Sequence, residues 1–229
     1  MLIEIGQKAK ETSYILGKMG TDLKNAGLLA AAQEILDEED EILKANAADV
    51  AKAKERGMAP GLVDRLELNH KRIEGIVEGM RQVVGLEDPV GEVISMKRRP
   101  NGLLIGQKRV PFGVIGIIYE ARPNVTADAF ALCFKTGNAV ILRGGSDALE
   151  SNKAIVTAIR NGLKKEGIPE DAISLIEDTS HETAREFMRM NGYLDVLIPR
   201  GGAGLIRTVV ENSTVPVIET GTGNCHIYV

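Results

Sequence analysis

Apolar residues recur at helical spacing through the first ninety or so residues of the chain. The pattern is clearest in two sets, Leu28, Ala32, Ile35, Leu36 and Leu43, and Ile73, Ile76, Val77, Met80, Val83 and Val84. Such spacing is typical of one face of an α-helix. Gly and Pro cluster in "ERGMAPG" (55–61) and predict a loop, whereas "DEEDEILK" predicts the solvated face of a helix. We therefore expect a helical N-terminal part over 1–90.

A change of pattern follows in "EVISMKRRPNGLLIGQKRVPFG". Apolar residues on both sides of Pro-Asn-Gly predict a protruding β-hairpin over 92–110. Its strands carry basic side chains at Lys97, Arg98, Arg99, Lys108 and Arg109. These charges protect an exposed edge from aggregation. The hairpin could equally join subunits, which predicts a homo-oligomer, whereas a nucleic-acid ribbon is disfavoured because the chain is acidic.

From Gly113 onward, short apolar runs alternate with helical patterns. Strands are predicted at 114–119, 138–142, 173–177, 195–199 and 215–219, and helices near 125–135, 148–166, 181–190 and 203–212. Continuous apolar runs such as "AVILR" and "DVLIP" are typical of strands covered on both faces. The βαβ series predicts an α/β fold with a doubly wound, mainly parallel sheet.

Composition excludes several classes of function. The chain has 229 residues, a formal net charge of −4, eight Phe and Tyr residues together and no Trp. This balance argues against nucleic-acid binding by charge or base stacking. No membrane-spanning run or signal peptide is present, which predicts a cytoplasmic location. The two cysteines, Cys133 and Cys225, make no disulfide framework, and the Cys and His spacing predicts no metal site.

Two predicted strands end in the same way, in "AVILRGGSDA" and "DVLIPRGGAG", and a third ends in "ETGTGN". Ligands of open α/β sheets lie beyond the carboxyl ends of the strands. Glycines there let backbone N–H groups approach a phosphate, and Arg143 and Arg200 supply planar donors. The alternative is that the glycines only make tight turns, but two Arg-Gly-Gly copies favour phosphate binding. The GxGxxG fingerprint is absent, so spacing alone does not identify a dinucleotide.

Polar residues also follow the first strand of this series, in "IGIIYEARPNVTADAF". Asn124 or Thr126 would cap the next helix, or Asn124 would donate its amide to a substrate oxygen. On physical grounds capping is favoured. The final stretch, "VPVIETGTGNCHIYV", places Cys225 beside His226 and six residues after Glu219. A nucleophilic thiol with an adjacent imidazole and a nearby carboxylate would have this arrangement.

Long stretches of the chain resemble the gamma-glutamyl phosphate reductases, or glutamate-5-semialdehyde dehydrogenases, of the aldehyde dehydrogenase superfamily. They are "GLVDRLELN", "VPFGVIGIIYEARPNVTADAFALCFKTGNAVILRGGSDALESN", "VLIPRGGAGLI" and "VPVIETGTGNCHIYV". The resemblance implies NADPH-dependent reduction of L-glutamyl 5-phosphate to L-glutamate 5-semialdehyde in proline biosynthesis, with release of phosphate. A cysteine thiolate attacks the acyl phosphate, and hydride from NADPH reduces the thioester. A contact with glutamate 5-kinase is a further expected partner interaction.

The resemblance also assigns residues. It implies that Asn124 is a candidate oxyanion donor and that the NADP(H) site is built from Glu120, Arg122, Asn124, Arg143, Gly144, Gly145, Ser146, Arg200, Gly201, Gly202, Gly204, Leu205, Glu219, Thr220 and Gly221. We expect Arg143, with Ser146, to favour NADP(H) through the 2′-phosphate. The alternative is that Arg143 pairs with Asp147 and only shapes the loop. Glu219 lies near the nicotinamide or is purely structural.

The resemblance places the nucleophilic cysteine in a catalytic domain beyond this chain. We therefore expect 1–229 to be the dinucleotide-binding domain of the reductase, truncated before the thiol and inactive by itself. Cys225 is then not the nucleophile, and Cys133 belongs to the core. Two other hypotheses stay open, a non-enzymatic nucleotide- or phosphate-binding module and an enzyme whose thiol is Cys225.

Overall fold

The computed structural model describes residues 1–219, 221 and 227, and the predicted helical N-terminal part is confirmed. Its helices are α1 Leu2–Leu16, α2 Thr21–Asp37, α3 Glu39–Glu55, α4 Pro60–Leu66 and α5 His70–Gly85. The acidic run at 37–44 does not form one helix face, because α2 ends and α3 begins within it, on either side of Glu38. Among the described helices, none has the length and apolar character needed to cross a membrane.

The predicted hairpin is confirmed. Strands β1 Val93–Arg98 and β2 Leu104–Lys108 pair antiparallel as a separate two-stranded sheet. The turn needs a glycine, since Gly102 has φ 87°. All residues of β2 are exposed, so the hairpin leaves apolar side chains such as Leu104 and Ile105 in contact with solvent.

The predicted parallel sheet is confirmed with four strands in the order β5-β4-β3-β6. The elements of this part are β3 Val114–Tyr119, α6 Asn124–Lys135, β4 Ala139–Arg143, α7 Leu149–Lys165, β5 Ile173–Leu175, α8 His181–Phe187, β6 Val196–Arg200 and α9 Ala203–Asn212. A 3-10 turn at Ser146–Ala148 precedes α7. The chain order reverses at β3, which has β4 on one side and β6 on the other, as in doubly wound sheets.

The fifth predicted strand, 215–219, is wrong over the residues that the structure describes. That segment forms one isolated parallel bridge, from Val217 to Leu197. The Leu197 N–H donates to the Pro216 carbonyl at 2.8 Å, and the Ile218 N–H donates back to the Leu197 carbonyl at 2.9 Å. Pro216 has no N–H to extend this pairing. The Thr214 N–H is already bonded to the carbonyl of Met188.

Both faces of the parallel sheet are covered. On one face Ile117 lines an apolar cavity together with Val125 and Ala129 of α6. On the other face a Cβ at Gly116 would lie 2.9 Å from the ring of Phe187 in α8. This double cover explains why all six residues of β3 are buried.

Helix α4 is attached to the sheet part through a small apolar cluster of its own. Val63 and Leu66 pack there with Val50, Ala53 and Ala148, and Ala121 lies against the same cluster. Buried Asn46 fixes the end of the helix, because its amide donates to the Leu66 carbonyl at 2.9 Å and accepts from the Leu68 N–H at 2.7 Å. The N-terminal part therefore places α4 beside the residues that follow β3.

Candidate functional site

A cavity of about 330 Å³ lies where β3 and β6 end. It is lined by Arg65, Tyr119, Glu120, Arg122, Val125, Arg200, Gly201 and Gly202. Strands β3 and β6 are adjacent and parallel, with Tyr119 opposite Arg200. The cavity therefore lies at the carboxyl ends of the strands and at the point where the strand order reverses, which is the usual ligand position in this kind of sheet.

The cavity is strongly positive. Arg65, Arg122 and Arg200 contribute three guanidinium groups against the single carboxylate of Glu120. Within the described part of the chain, none of the three has an ion-pair partner within 4.0 Å or a side-chain hydrogen bond. A concave site lined by arginines of three separate elements is suited to an anion, because guanidinium N–H groups match carboxylate and phosphate oxygens.

Glu120 lies at the N-terminal end of α9. Its Oε1 accepts a hydrogen bond from the Gly202 N–H at 2.9 Å. A Cβ at Gly201 would lie 2.7 Å from the Glu120 carboxyl carbon, so the glycine makes room for this carboxylate. Helix N-termini attract anions because of their free N–H groups and positive partial charge. Glu120 thus occupies the place at which an anionic ligand would contact α9.

The first glycine of the first Arg-Gly-Gly loop also makes room for a neighbouring group. A Cβ at Gly144 would lie 2.4 Å from the Asn152 amide nitrogen, and one at Gly145 would lie 3.4 Å from the Ala121 N. Neither Arg-Gly-Gly loop contains a positive φ. A left-handed backbone conformation therefore does not explain these glycines. Close approach explains Gly144, whereas a Cβ at Gly145 would make only an ordinary contact with the residues after β3.

Arg143 is held by the next loop of the sheet. One of its Nη atoms donates to the Thr179 carbonyl at 2.6 Å and to the Ser180 carbonyl at 3.3 Å. Arg143 does not pair with Asp147, which lies 3.4 Å from Arg56 instead, but its bonds to the Thr179 and Ser180 carbonyls are contacts of the loop-shaping kind that the alternative expects. The buried Nε of Arg143 has no partner within the described residues. Of the five N–H donors of the guanidinium, only those of one Nη atom are engaged among the described residues.

The prediction that Asn124 or Thr126 caps α6 is wrong. The helix has no side-chain cap. The Asn124 amide donates to Asp128 Oδ2 at 3.1 Å, one turn along the same helix. Thr126 is buried, and its hydroxyl bonds Tyr119 at 2.7 Å and Asn152 at 2.9 Å. Backbone carbonyls satisfy the first N–H groups of the helix instead, because the Val125 N–H donates to Arg122 at 3.0 Å and the Thr126 N–H to Pro123 at 3.1 Å.

Asn124 and Asp128 lie in a second cavity, of about 760 Å³, that shares Arg65 and Arg122 with the first. Burial raises the pKa of Asp128, while the Asn124 amide and the Arg200 charge oppose that rise. An Asn amide carries two N–H donors and Asp128 takes one. The other is left for an oxygen in the cavity.

The other predicted site residues are placed as follows. Ser146 begins the 3-10 turn before α7, Gly204 and Leu205 lie in α9, and Leu205 contacts the position of a Cβ at Gly201. Glu219 is exposed, and a Cβ at Gly221 would meet nothing within 4 Å. Thr220, Cys225 and His226 lie outside the described residues.

Cys133 is buried, as expected, and burial raises the pKa of its thiol to about 12.

Sequence reasoning missed Arg65. The residue lies on α4, more than fifty positions before Glu120, and no motif spacing connects the two. Only the packing of α4 against Ala121 and Ala148 brings it to the cavity. The sequence signal was limited to its presence in "GLVDRLELN", one of the stretches that carry the family resemblance.

Known proteins resemble this chain over its whole length. A gamma-glutamyl phosphate reductase of Clostridium perfringens (strain SM101 / Type A) is 59% identical over 228 residues, which cover 100% of this chain and 55% of the relative. The chain is homologous to the gamma-glutamyl phosphate reductases. A crystal structure of gamma-glutamyl phosphate reductase from Thermotoga maritima has a TM-score of 0.95 and 51% identity, and the match covers 98% of this chain and 54% of that one. No protein-family model matches.

The chain spans about half the length of the gamma-glutamyl phosphate reductases that it matches. A probable aldehyde dehydrogenase of Listeria monocytogenes EGD-e has a TM-score of 0.71 at 16% identity, covering 97% of this chain and 46% of that one. At this identity the likeness shows the fold alone. The predicted resemblance and the aldehyde-dehydrogenase-like fold are confirmed.

Proposed function

We propose that the chain is the cofactor half of a reductase that converts L-glutamyl 5-phosphate to L-glutamate 5-semialdehyde with release of phosphate, in proline biosynthesis. The observation that carries the proposal is the arginine-lined cavity at the ends of β3 and β6. The identity of 59% to a gamma-glutamyl phosphate reductase supports the choice of substrate. The catalytic domain and its nucleophilic cysteine are proposed to lie outside residues 1–229.

We propose that a dinucleotide binds along these strand ends. The proposed contacts are Arg200, Gly201 and Gly202 at the start of α9 for the pyrophosphate, and Gly144, Gly145 and Ser146 for the adenosine side. Glu120 would release the Gly202 N–H when a phosphate binds there, since the two compete for one donor. A bound nicotinamide cofactor supplies the hydride for the reduction. We propose the same role in cofactor contacts for Gly204, Leu205, Glu219, Thr220 and Gly221.

Asn124 is proposed as the oxyanion donor. Its amide is oriented by the hydrogen bond to Asp128 at 3.1 Å, and its second N–H would donate to the substrate oxygen. A fixed donor at a developing negative charge is worth several kcal/mol in other enzymes, about 3 for one removed donor. Cys225 is proposed not to act as the nucleophile, so Cys225→Ala in a full-length form should keep most reductase activity.

Arg143 is proposed to favour NADP(H). The 2′-phosphate carries nearly two negative charges, and Arg143 retains donors beside its contact to Thr179. NAD(H) offers a neutral hydroxyl instead. A charge-assisted contact of ~1.5–3 kcal/mol corresponds to roughly a tenfold to hundredfold preference.

Fluorescence titration of the chain with NADPH and NADH, before and after Arg143→Ala, tests this function. Arg99→Ala in the exposed hairpin is the matched control. We expect the wild type to prefer NADPH, Arg143→Ala to lose most of that preference, and Arg99→Ala to keep it. Equal binding of the two cofactors by wild type would contradict NADP(H) use. Binding of simple phosphates without any dinucleotide would favour the phosphate-binding module.

Self-association through the hairpin at 92–110 is a further part of the proposal. Exposed apolar residues on both strands, among them Val93, Met96 and Leu104 at 54%, 58% and 52% exposure, support it, because a two-stranded ribbon alone is marginally stable. A contact with glutamate 5-kinase and a cytoplasmic location stay predictions.

A further inference from the structure

We propose that Arg65 and Arg122 form a subsite for an oxyanion of the substrate, a phosphoryl group or a carboxylate, separate from the cofactor contacts of Arg200. Arg65 of the N-terminal helical part and Arg122 of the sheet part would then bind the same substrate group. This inference rests on the proposed function for the identity of the substrate, but the anion site itself can be measured without a cofactor.

The position of this pair in the molecule supports a role distinct from that of Arg200. Arg65 and Arg122 line both the cavity of about 330 Å³ and the neighbouring cavity of about 760 Å³, whereas Glu120, Gly201 and Gly202 line only the first, and Asn124 and Asp128 only the second. The pair therefore stands between the proposed cofactor contacts and the Asn124 amide. An acyl phosphate presents a carbonyl oxygen and a phosphoryl group next to each other, so Asn124 and the arginines could bind them together.

The charge of Arg65 is not neutralised by its neighbours on α4. The adjacent carboxylate, Asp64, pairs with Arg72 at 2.9 Å. Arg72 also donates to the Glu67 carbonyl at 2.6 Å and to the Asp64 carbonyl, which fixes α4 and α5 together. These contacts engage the Asp64 carboxylate and the carbonyls of Asp64 and Glu67, and Arg65 has no ion-pair partner among the described residues. A positive side chain is thus presented to the cavity on a fixed helix.

The second arginine is positioned by a tight turn after β3. The Arg122 N–H donates to the Glu120 carbonyl at 2.8 Å, and Ala121 packs against the cluster that contains Leu66 of α4. The same apolar contact therefore sets the positions of both arginines. Two guanidinium groups on fixed elements can take a phosphoryl group, which carries about −1.5 to −2 at neutral pH, through parallel hydrogen bonds.

The test is a titration of the 229-residue chain, followed by backbone-amide NMR, with inorganic phosphate and separately with L-glutamate. Phosphate represents the phosphoryl end and L-glutamate the carboxylate end. Arg65→Met removes the charge and keeps an unbranched stem, and Arg65→Lys keeps the charge without the planar fork. Arg81→Met on the exposed side of α5 is the matched control. Circular dichroism checks that each variant is folded, and Arg122→Met provides a second test of the pair.

We expect at least one probe to bind the wild type, with roughly tenfold weaker binding for Arg65→Met and for Arg122→Met, a smaller loss for Arg65→Lys, and no change for Arg81→Met. The probe that responds identifies which end of the substrate is held. NADPH affinity should be the same in wild type and Arg65→Met. Absence of phosphate and L-glutamate binding, or equal binding by wild type and Arg65→Met, overturns the subsite.

Titration of wild type and Arg65→Met with NADPH distinguishes failure of the subsite from failure of the proposed function. If Arg65→Met weakens NADPH and phosphate by the same factor, and NADPH displaces phosphate, the arginine belongs to the cofactor site and the subsite is wrong while the function stands. If phosphate responds to Arg65→Met and NADPH does not bind the wild type at all, the subsite stands and the proposed cofactor use is wrong.

Discussion

Gly162 lies where α7 crosses α2, and replacing it with alanine should destabilise the protein. A Cβ at Gly162 would lie 2.5 Å from both the Cα and the N of Ala31, and 2.7 Å from the carbonyl carbon of Ala30. Carbon atoms in contact are normally about 3.5–4.0 Å apart. The obstructing atoms are backbone, so no side-chain rotation relieves the overlap. The two helices must separate by roughly 1 Å.

The magnitude follows from two opposing effects. Alanine favours a helix interior over glycine by up to about 1 kcal/mol. Against this, overpacking in a close-packed core costs about 1–3 kcal/mol or more, and a 1 Å gap weakens the dispersion contacts of the whole interface. Buried Leu28, Ile35 and Ile159 lie in the core that contains this crossing. We expect a net loss of about 2 kcal/mol, or roughly 4–8 °C in Tm for a chain of this size.

Urea unfolding followed by circular dichroism measures this loss, and Gly75→Ala is the matched control. Gly75 lies inside α5, and a Cβ there would meet nothing within 4 Å, so the same substitution should stabilise by up to about 1 kcal/mol. The two variants should therefore shift the midpoint in opposite directions. A Gly162→Ala variant as stable as the wild type, with an unchanged denaturant slope, would refute the close α2–α7 contact.

Three other predictions concern charge and assembly. Burial alone would raise the pKa of Asp88, but hydrogen bonds from Lys24, the Val90 N–H and Thr21 outweigh it and lower the pKa. Asp88→Asn should therefore cost about 3 kcal/mol near neutral pH, because it leaves Lys24 buried and unpaired. The contribution of ionised Asp88 to the free energy of unfolding should be complete above about pH 4 and should decrease as the pH falls through the lowered pKa. Denaturation at several pH values measures it, and a difference in unfolding free energy between wild type and Asp88→Asn that grows in acid would contradict this. Glu120→Gln should bind NADPH several-fold more tightly in a fluorescence titration, because a neutral amide competes less for the Gly202 N–H than a carboxylate, whereas weaker binding would mean that the carboxylate itself contacts the cofactor. Deleting 97–105 from a full-length form should shift its sedimentation toward monomer, and an unchanged oligomer would rule out the hairpin as an interface.

The helices and strands of this fold were largely predictable because each carries a strong local pattern. The apolar run of β3, predicted at 114–119, forms the strand over the same residues. The segment at 215–219 has a similar composition but forms only a bridge, because Pro216 interrupts the hydrogen-bonding pattern. Just before this segment, the Thr214 N–H bonds the carbonyl of Met188, which is distant in sequence, and no local pattern predicts that contact.

The candidate site was only partly predictable. The residues that follow strands, such as Glu120 and Arg200, were found because parallel strands end at one edge. Arg65 was missed because its contribution depends on how α4 packs. The expected cap by Asn124 was wrong because the side chain bonds Asp128 in its own helix instead. Helix-capping preference alone does not decide between a backbone N–H and a nearby side chain as the partner.

The central claim is that the Arg-Gly-Gly loops form a dinucleotide site at one edge of the sheet. Amide NMR of the ¹⁵N-labelled chain, titrated with NADPH, tests it most directly. We expect the largest shifts at the backbone N–H groups of Gly144, Gly145, Gly201 and Gly202, which follow β4 and β6. Saturable NADPH binding that leaves those amides unchanged, or no binding at all, would contradict it.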